Sequence, residues 1–145
     1  MIQHIPLEKI LFLDIETVPQ AGNWEELHET DQYLWDKKTK MQRKEDFTAE
    51  DFYSERGGIM AEFGKIICIS VGILEKSEKL MIKSFSGDDE RKLLEEFGEI
   101  FNHPKLHDVI LCAHNGKEFD FPWIARRFLI NGMQPPKPFQ MFGKK

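Results

Sequence analysis

The chain has 145 residues, 41% hydrophobic and 31% charged, which fits one domain with a sizeable core and excludes a disordered polymer. No apolar run approaches the roughly 18 residues of a membrane span, and the N-terminus, Met1-Ile-Gln-His-Ile-Pro6, lacks the basic and apolar regions of a signal peptide. A cytoplasmic protein that does not enter the membrane is expected. The net charge of −5 argues against an extended nucleic-acid-binding surface, although from His114 onward six basic residues stand against two acids.

Glu8 to Ile15 reads as a strand with a near-continuous apolar centre, and it ends in Asp14 and Glu16. Side chains alternate along a strand, so these two carboxylates share a face, about 7 Å or less apart. They repel, and the apolar surroundings make their position costly to solvate. A divalent metal ion is the natural counter-charge. Pro19 and Gly22 then break the pattern.

Residues from about 20 to 60 read as a helical insertion rich in charges and aromatics, with helices over 23–39 and 48–54. Thr48-Ala-Glu-Asp51 has the form of a capping box. Trp24, Tyr33 and Trp35 suit packing better than base stacking. Lys65–Leu74 is a second strand and Lys79–Phe85 a third, joined by a polar turn at Glu75–Ser77, which predicts an antiparallel hairpin. Ser86-Gly-Asp-Asp-Glu90 opens a helix to about Asn102, with Asp88-Asp89 read as capping residues rather than metal ligands. Val109–Ala113 is a short, wholly apolar fourth strand, expected to be buried. A second core helix covers Glu118–Asn131, with Pro122 in its first turn and Asn131-Gly132 at its end. Cys68 and Cys112 read as small buried hydrophobes in a reducing compartment. His103 and His107 are four apart, but Pro104 between them argues against a zinc site.

The order β, insertion, β, β, α, β, α predicts an α/β domain spanning 1–145: a mixed sheet with helices packed on it. Ligands of such sheets gather at strand carboxyl ends. There stand Asp14, Glu16, His114 and Asn115, and Asp120 begins the following helix. Its carboxylate can compensate the helix dipole, or swing toward Asp14 and Glu16 to form an oxygen-rich site for Mg²⁺ or Mn²⁺.

Asp14-Ile-Glu-Thr17, with the apolar run before it and Pro19 after it, resembles the first motif of the DEDD 3′→5′ exonucleases. His114-Asn-Gly-Lys-Glu-Phe-Asp-Phe-Pro122 resembles their second. The pair is most similar to the proofreading exonuclease domain of family B DNA polymerases and its stand-alone bacterial relatives. The resemblance covers about residues 8–132, the insertion excepted. It implies a ribonuclease H-like fold, two divalent cations (Mg²⁺ or Mn²⁺), and hydrolysis of terminal phosphodiesters at the 3′ ends of single-stranded DNA or RNA. It implies that Asp14, Glu16 and Asp120 are catalytic and hold the metals, and that Thr17 and Asn115 contact the terminal nucleotide. His114 is open to two roles, touching substrate or hydrogen-bonding the strand ends.

The family pattern also has a fourth acid in a third motif, with a Tyr or His nearby, on a helix after a fifth strand. No Asp, Glu or Tyr follows Asp120 here. The expectation is therefore a piece of a longer exonuclease, or an incomplete relative, lacking the C-terminal strand and helix. Either would be weak or inactive by itself and would self-associate through an exposed sheet edge. The alternatives are a non-catalytic ribonuclease H-like binding or assembly module and, on the likeness of Asp14-Ile-Glu-Thr17 to an Asp-x-Asp-x-Thr nucleophile, a haloacid-dehalogenase-type phosphatase. The hairpin at 65–85 is wrong for the parallel sheet of that phosphatase class.

Overall fold

A computed structural model describes residues 5–44, 46–75 and 79–140. Contacts divide the chain into two units, one made of residues 1–16 and 66–145, the other of residues 17–65.

A four-stranded mixed sheet organises the first unit. Strand β1 is Ile10–Pro19, β2 is Gly64–Leu74, β3 is Leu80–Ser86 and β4 is Ile110–Cys112, in the spatial order β3-β2-β1-β4. β2 and β3 pair antiparallel, from Cys68↔Ser86 to Leu74↔Leu80, as the hairpin pattern predicts. Residues 76 and 77 of the polar turn assigned to it lie outside the described residues. β1 and β4 pair parallel over Ile10↔Ile110, Leu11↔Leu111 and Phe12↔Cys112. This is the mixed α/β sheet that the element order predicts.

Helix α3, Glu90–Glu99, continues into a 3₁₀ turn at Ile100–Asn102. Asp89 starts it, its carboxylate accepting the Lys92 N–H at 3.1 Å, the capping role expected of the acidic pair. Helix α4, Asp120–Ile130, ends where Gly132 takes φ +72°. There the Gly132 N–H reaches the Leu129 carbonyl and the Met133 N–H the Phe128 carbonyl, which closes the last turn. The apolar faces of both helices meet in an aromatic core centred on Phe97. Its ring lies 5.8 Å from Phe85 on β3, 5.3 Å from Phe101, 6.4 Å from Phe128 on α4 and 5.7 Å from Phe139. Phe121, Trp123, Ile124 and Phe128 are buried, so these α4 side chains are core and not a base-stacking platform.

Residues 17–65 form a separate small core. Helices α1, Glu29–Thr39, and α2, Ala49–Arg56, gather Leu27, Trp35, Tyr53 and Phe63 as its buried residues. The capping box at Thr48 is complete: the Thr48 hydroxyl oxygen accepts the Asp51 N–H at 3.1 Å, and the Asp51 carboxylate accepts the Thr48 N–H at 3.1 Å. The helix expected over 23–39 is broken. A 3₁₀ turn at Trp24–Glu26 is followed by extended backbone at Leu27, and α1 begins afresh with His28 accepting the Thr30 N–H. Leu27, at that break, is buried in the small core. Trp35 is fully buried and cannot stack on a base, while Tyr33 is exposed.

Three expectations need correction. β4 is not a buried strand: Ile110 is 45% exposed and Cys112 is exposed, because among the described strands β4 has only β1 as a neighbour. Cys68 is half-buried, so neither cysteine is a fully buried hydrophobe. Of the six basic residues after His114, Arg127 is buried against Glu90 and adds nothing to a basic surface. No helix among the described residues is long and apolar enough to cross a membrane.

Candidate active site

β1 sorts its residues by face. Leu11, Leu13 and Ile15 are buried, while Phe12, Asp14 and Glu16 lie on the open face. The two carboxylates therefore share a side, as strand alternation requires. The strand does not stop at Ile15, however. It runs to Pro19, so the acids sit within it rather than at its end. Both are exposed, and the argument from costly solvation fails for them. The apolar residues that suggested a buried setting point to the other face.

The buried acid is Asp120. It opens α4 after a tight loop that leaves β4, and it is only 4% exposed. Two residues shape that loop. Asn115 has φ +53°, the left-handed region that Asn tolerates better than most side chains. Its carbonyl accepts the N–H groups of Glu118 and Phe119, both at 3.0 Å. At Gly116 an added Cβ would lie 2.6 Å from the Ala113 Cβ and 2.6 Å from the Phe121 ring, so only glycine lets the loop pass. The sequence reading named Asn115 but passed over Gly116. The Asn-Gly pair is a turn signal that could have flagged it.

Burial pushes the Asp120 carboxyl up from its ordinary pKa, and the negative charge of Asp14 pushes the same way. Hydrogen bonds from the backbone N–H groups of Asp120 and Ile15, and the neighbouring His114, pull it down. β1 and β4 stop pairing at Phe12↔Cys112, before Ile15. The Asp120 carboxylate thus meets β1 beyond the end of β4, takes the Ile15 N–H and feels the charge of Asp14.

The structure brings Asp14 and His114 within electrostatic reach of Asp120. Glu16 shares the open face of β1 with Asp14, and His114 and Asn115 are exposed on the loop before α4. Thr17 is half-buried in the 17–65 unit, where its hydroxyl donates to the Gly58 carbonyl at 2.7 Å. His103 accepts the Lys105 N–H at 3.2 Å, a turn-capping role. Among the described residues no group of three or more His, Cys, Asp or Glu side chains converges to hold a metal ion. The pair that does meet is all-oxygen, doubly acidic and half sunk in protein, a donor set that suits a hard divalent cation.

The family B DNA polymerase from the hyperthermophilic archaeon Pyrobaculum calidifontis is a structural neighbour, with a TM-score of 0.48 at 16% identity over 88% of this chain. The chain spans 12% of the length of that polymerase. No curated protein matches it. A family described as a predicted 3′-5′ exonuclease related to the exonuclease domain of PolB matches residues 59–145. That stretch contains His114 to Asp120 and begins well after Asp14 and Glu16. It is more than half of the chain, and the protein belongs to this family of predicted 3′-5′ exonucleases.

Proposed function

We propose that the protein is a metal-dependent 3′→5′ exonuclease that hydrolyses the terminal phosphodiester of single-stranded DNA or RNA, with Asp14, Glu16 and Asp120 as catalytic carboxylates. The observation that carries this reading is the encounter of Asp14 with Asp120. A carboxylate pushed up by burial, and further by a second carboxylate, is unfavourable for folding and is the kind of arrangement that function retains. Family membership supports the reaction type.

The open face of β1 leaves Asp14 and Glu16 accessible to a strand end, while α4 fixes Asp120 behind them. Two divalent cations, Mg²⁺ or Mn²⁺, would have to draw these three acids together, since they do not converge in this structure, and would supply an activated water and charge shielding for the scissile phosphate. In this reading Asn115 and His114, both exposed on the loop before α4, would donate to the terminal nucleotide. The antiparallel β2–β3 pair gives no support to a dehalogenase-type phosphatase.

The test is release of nucleotides from a labelled single strand in Mn²⁺ by the protein as encoded. Asp14→Ala is expected to lower the rate by at least about a hundredfold, the scale of losing a group that stabilises transition-state charge. Undiminished activity in the variant sinks the assignment. A wild-type protein that binds single strands without cutting them favours the non-catalytic module.

A further inference from the structure

Glu90 is a heavily engaged side chain among the described residues of the sheet unit. It is 8% exposed at the start of α3. Its carboxylate accepts the Ile66 backbone N–H at the start of β2 at 2.7 Å and two guanidinium nitrogens of Arg127, Nε at 2.9 Å and Nη2 at 2.6 Å. It also accepts the Asn131 amide at 3.0 Å. Asn131 in turn donates to the Arg127 carbonyl at 2.9 Å, at the end of α4. One carboxylate thereby ties β2, α3 and the C-terminal half of α4 together.

Arg127 is 5% exposed and lies seven residues after Asp120. Seven residues are almost two turns, so the two side chains project from the same face of α4, about 10 Å apart along its axis. Between them Ile124 is fully buried. Aliphatic packing along this face leaves a helix free to slide or roll by fractions of an ångström, since hydrophobic contact is not directional. A bidentate guanidinium–carboxylate fork has defined geometry and does not. Its other anchor, the Ile66 N–H, belongs to the sheet that carries Asp14.

We propose that Glu90 and Arg127 are a positioning pair that fixes α4 along its axis against the sheet, so that the Asp120 carboxylate meets the Ile15 N–H and Asp14 at the end of β4. Neither residue touches the reacting atoms. Stability alone gives weak reason for such a pair, because a buried ion pair is often replaceable by apolar residues of like volume without loss. What apolar residues cannot supply is register.

That distinction supplies the experiment. Removing one partner strands a buried charge and threatens the fold. The informative variant is therefore the double replacement Glu90→Met/Arg127→Met, with folding verified by thermal melting and amide dispersion. Two readouts are taken. The first is hydrogen exchange at the Ile15 amide, which requires no activity. It is expected to quicken at least about tenfold while Leu11 and Leu13 on the same strand keep their protection. The second is nuclease kinetics, which rests on the function proposed above. There kcat is expected to fall at least about tenfold with KM little changed, since small displacements of a catalytic group are costly. Arg127→Lys, which keeps the charge and loses the fork, is expected to fall between the two. A folded double variant with unaltered Ile15 exchange overturns the positioning role. Faster Ile15 exchange in a protein whose wild type cuts nothing upholds it and refutes the nuclease reading instead.

Discussion

The two units are built in opposite ways. In the sheet unit α3 and α4 present continuous apolar faces, and the rings around Phe97 are backed by the buried aliphatic side chains Leu93, Leu94 and Ile124. In residues 17–65 the helices are polar almost all round. α1 buries only Trp35 and Thr39, and α2 buries only Tyr53. Such helices are specified by their ends and by a few large side chains rather than by a stripe. Trp35 alone meets Phe52, Tyr53 and Phe63 at 5.9, 5.3 and 5.0 Å and donates its indole N–H to the Ala49 carbonyl at 2.9 Å. Tyr53 closes the unit at the other end, its hydroxyl donating to the Ala21 carbonyl at 3.2 Å and accepting the Ala21 N–H at 3.1 Å. Burial rests on a few large side chains in one unit and on whole helix faces in the other.

The largest expected effect follows from that concentration. Trp35→Ala removes the hub and its indole hydrogen bond to the Ala49 carbonyl, a loss of about 3–5 kcal/mol by the usual cost of truncating a buried aromatic. Hydrogen exchange should show protection lost across 17–65 and kept in β2, β3, α3 and α4. Loss of protection that spreads into α3 and α4 would break the comparison, because the two cores would then melt as one. A smaller effect tests the claim that caps specify the polar helices. Thr48→Ala deletes the hydroxyl half of the capping box, about 1 kcal/mol. The change should be visible as faster exchange at Asp51 and a lower melting temperature. No change would mean that Tyr53 alone holds α2 in place.

What the sequence disclosed divides along a related line. The capping box at Thr48–Asp51, the cap at Asp89 and the antiparallel hairpin were legible because each is written in a few neighbouring residues. The shared face of Asp14 and Glu16 was legible for the same reason, strand alternation being local. The misreadings concern partners. β4 looks buried from Ile110-Leu111-Cys112, yet a strand's burial depends on what flanks it, and among the described strands β4 has one neighbour. Asp14 looks buried from the apolar residues around it, yet they face the other way. Asp120 was legible as an acid able to swing toward Asp14, but its burial and its bond from the Ile15 N–H depend on strand β1, about a hundred residues earlier. Arg127 looks like one more surface charge until Glu90, 37 residues earlier, arrives beside it.

Buried polar groups make the last and smallest test of the contrast. In 17–65 they are neutral and satisfied, as where the Thr39 hydroxyl donates to the Trp35 carbonyl at 2.7 Å. In the sheet unit Asp120 is ionisable, sunk in protein and opposed by Asp14. An acid whose pKa is raised by folding is favoured in its protonated form. Its stabilising contribution is then complete below the ordinary value of 3.8 and is lost as pH climbs through the raised folded value. At about pH 7 ionised Asp120 therefore weighs against folding. Asp120→Asn keeps an oxygen for the Ile15 N–H and removes the charge, so the variant should melt a few degrees higher than wild type at about pH 7 and no higher at about pH 3. Mn²⁺ should narrow the gap at neutral pH, since a cation bound by the carboxylates opposes the same repulsion. An advantage that is equal at both pH values would place the effect in packing, and the raised carboxylate would lose its claim to mark the site.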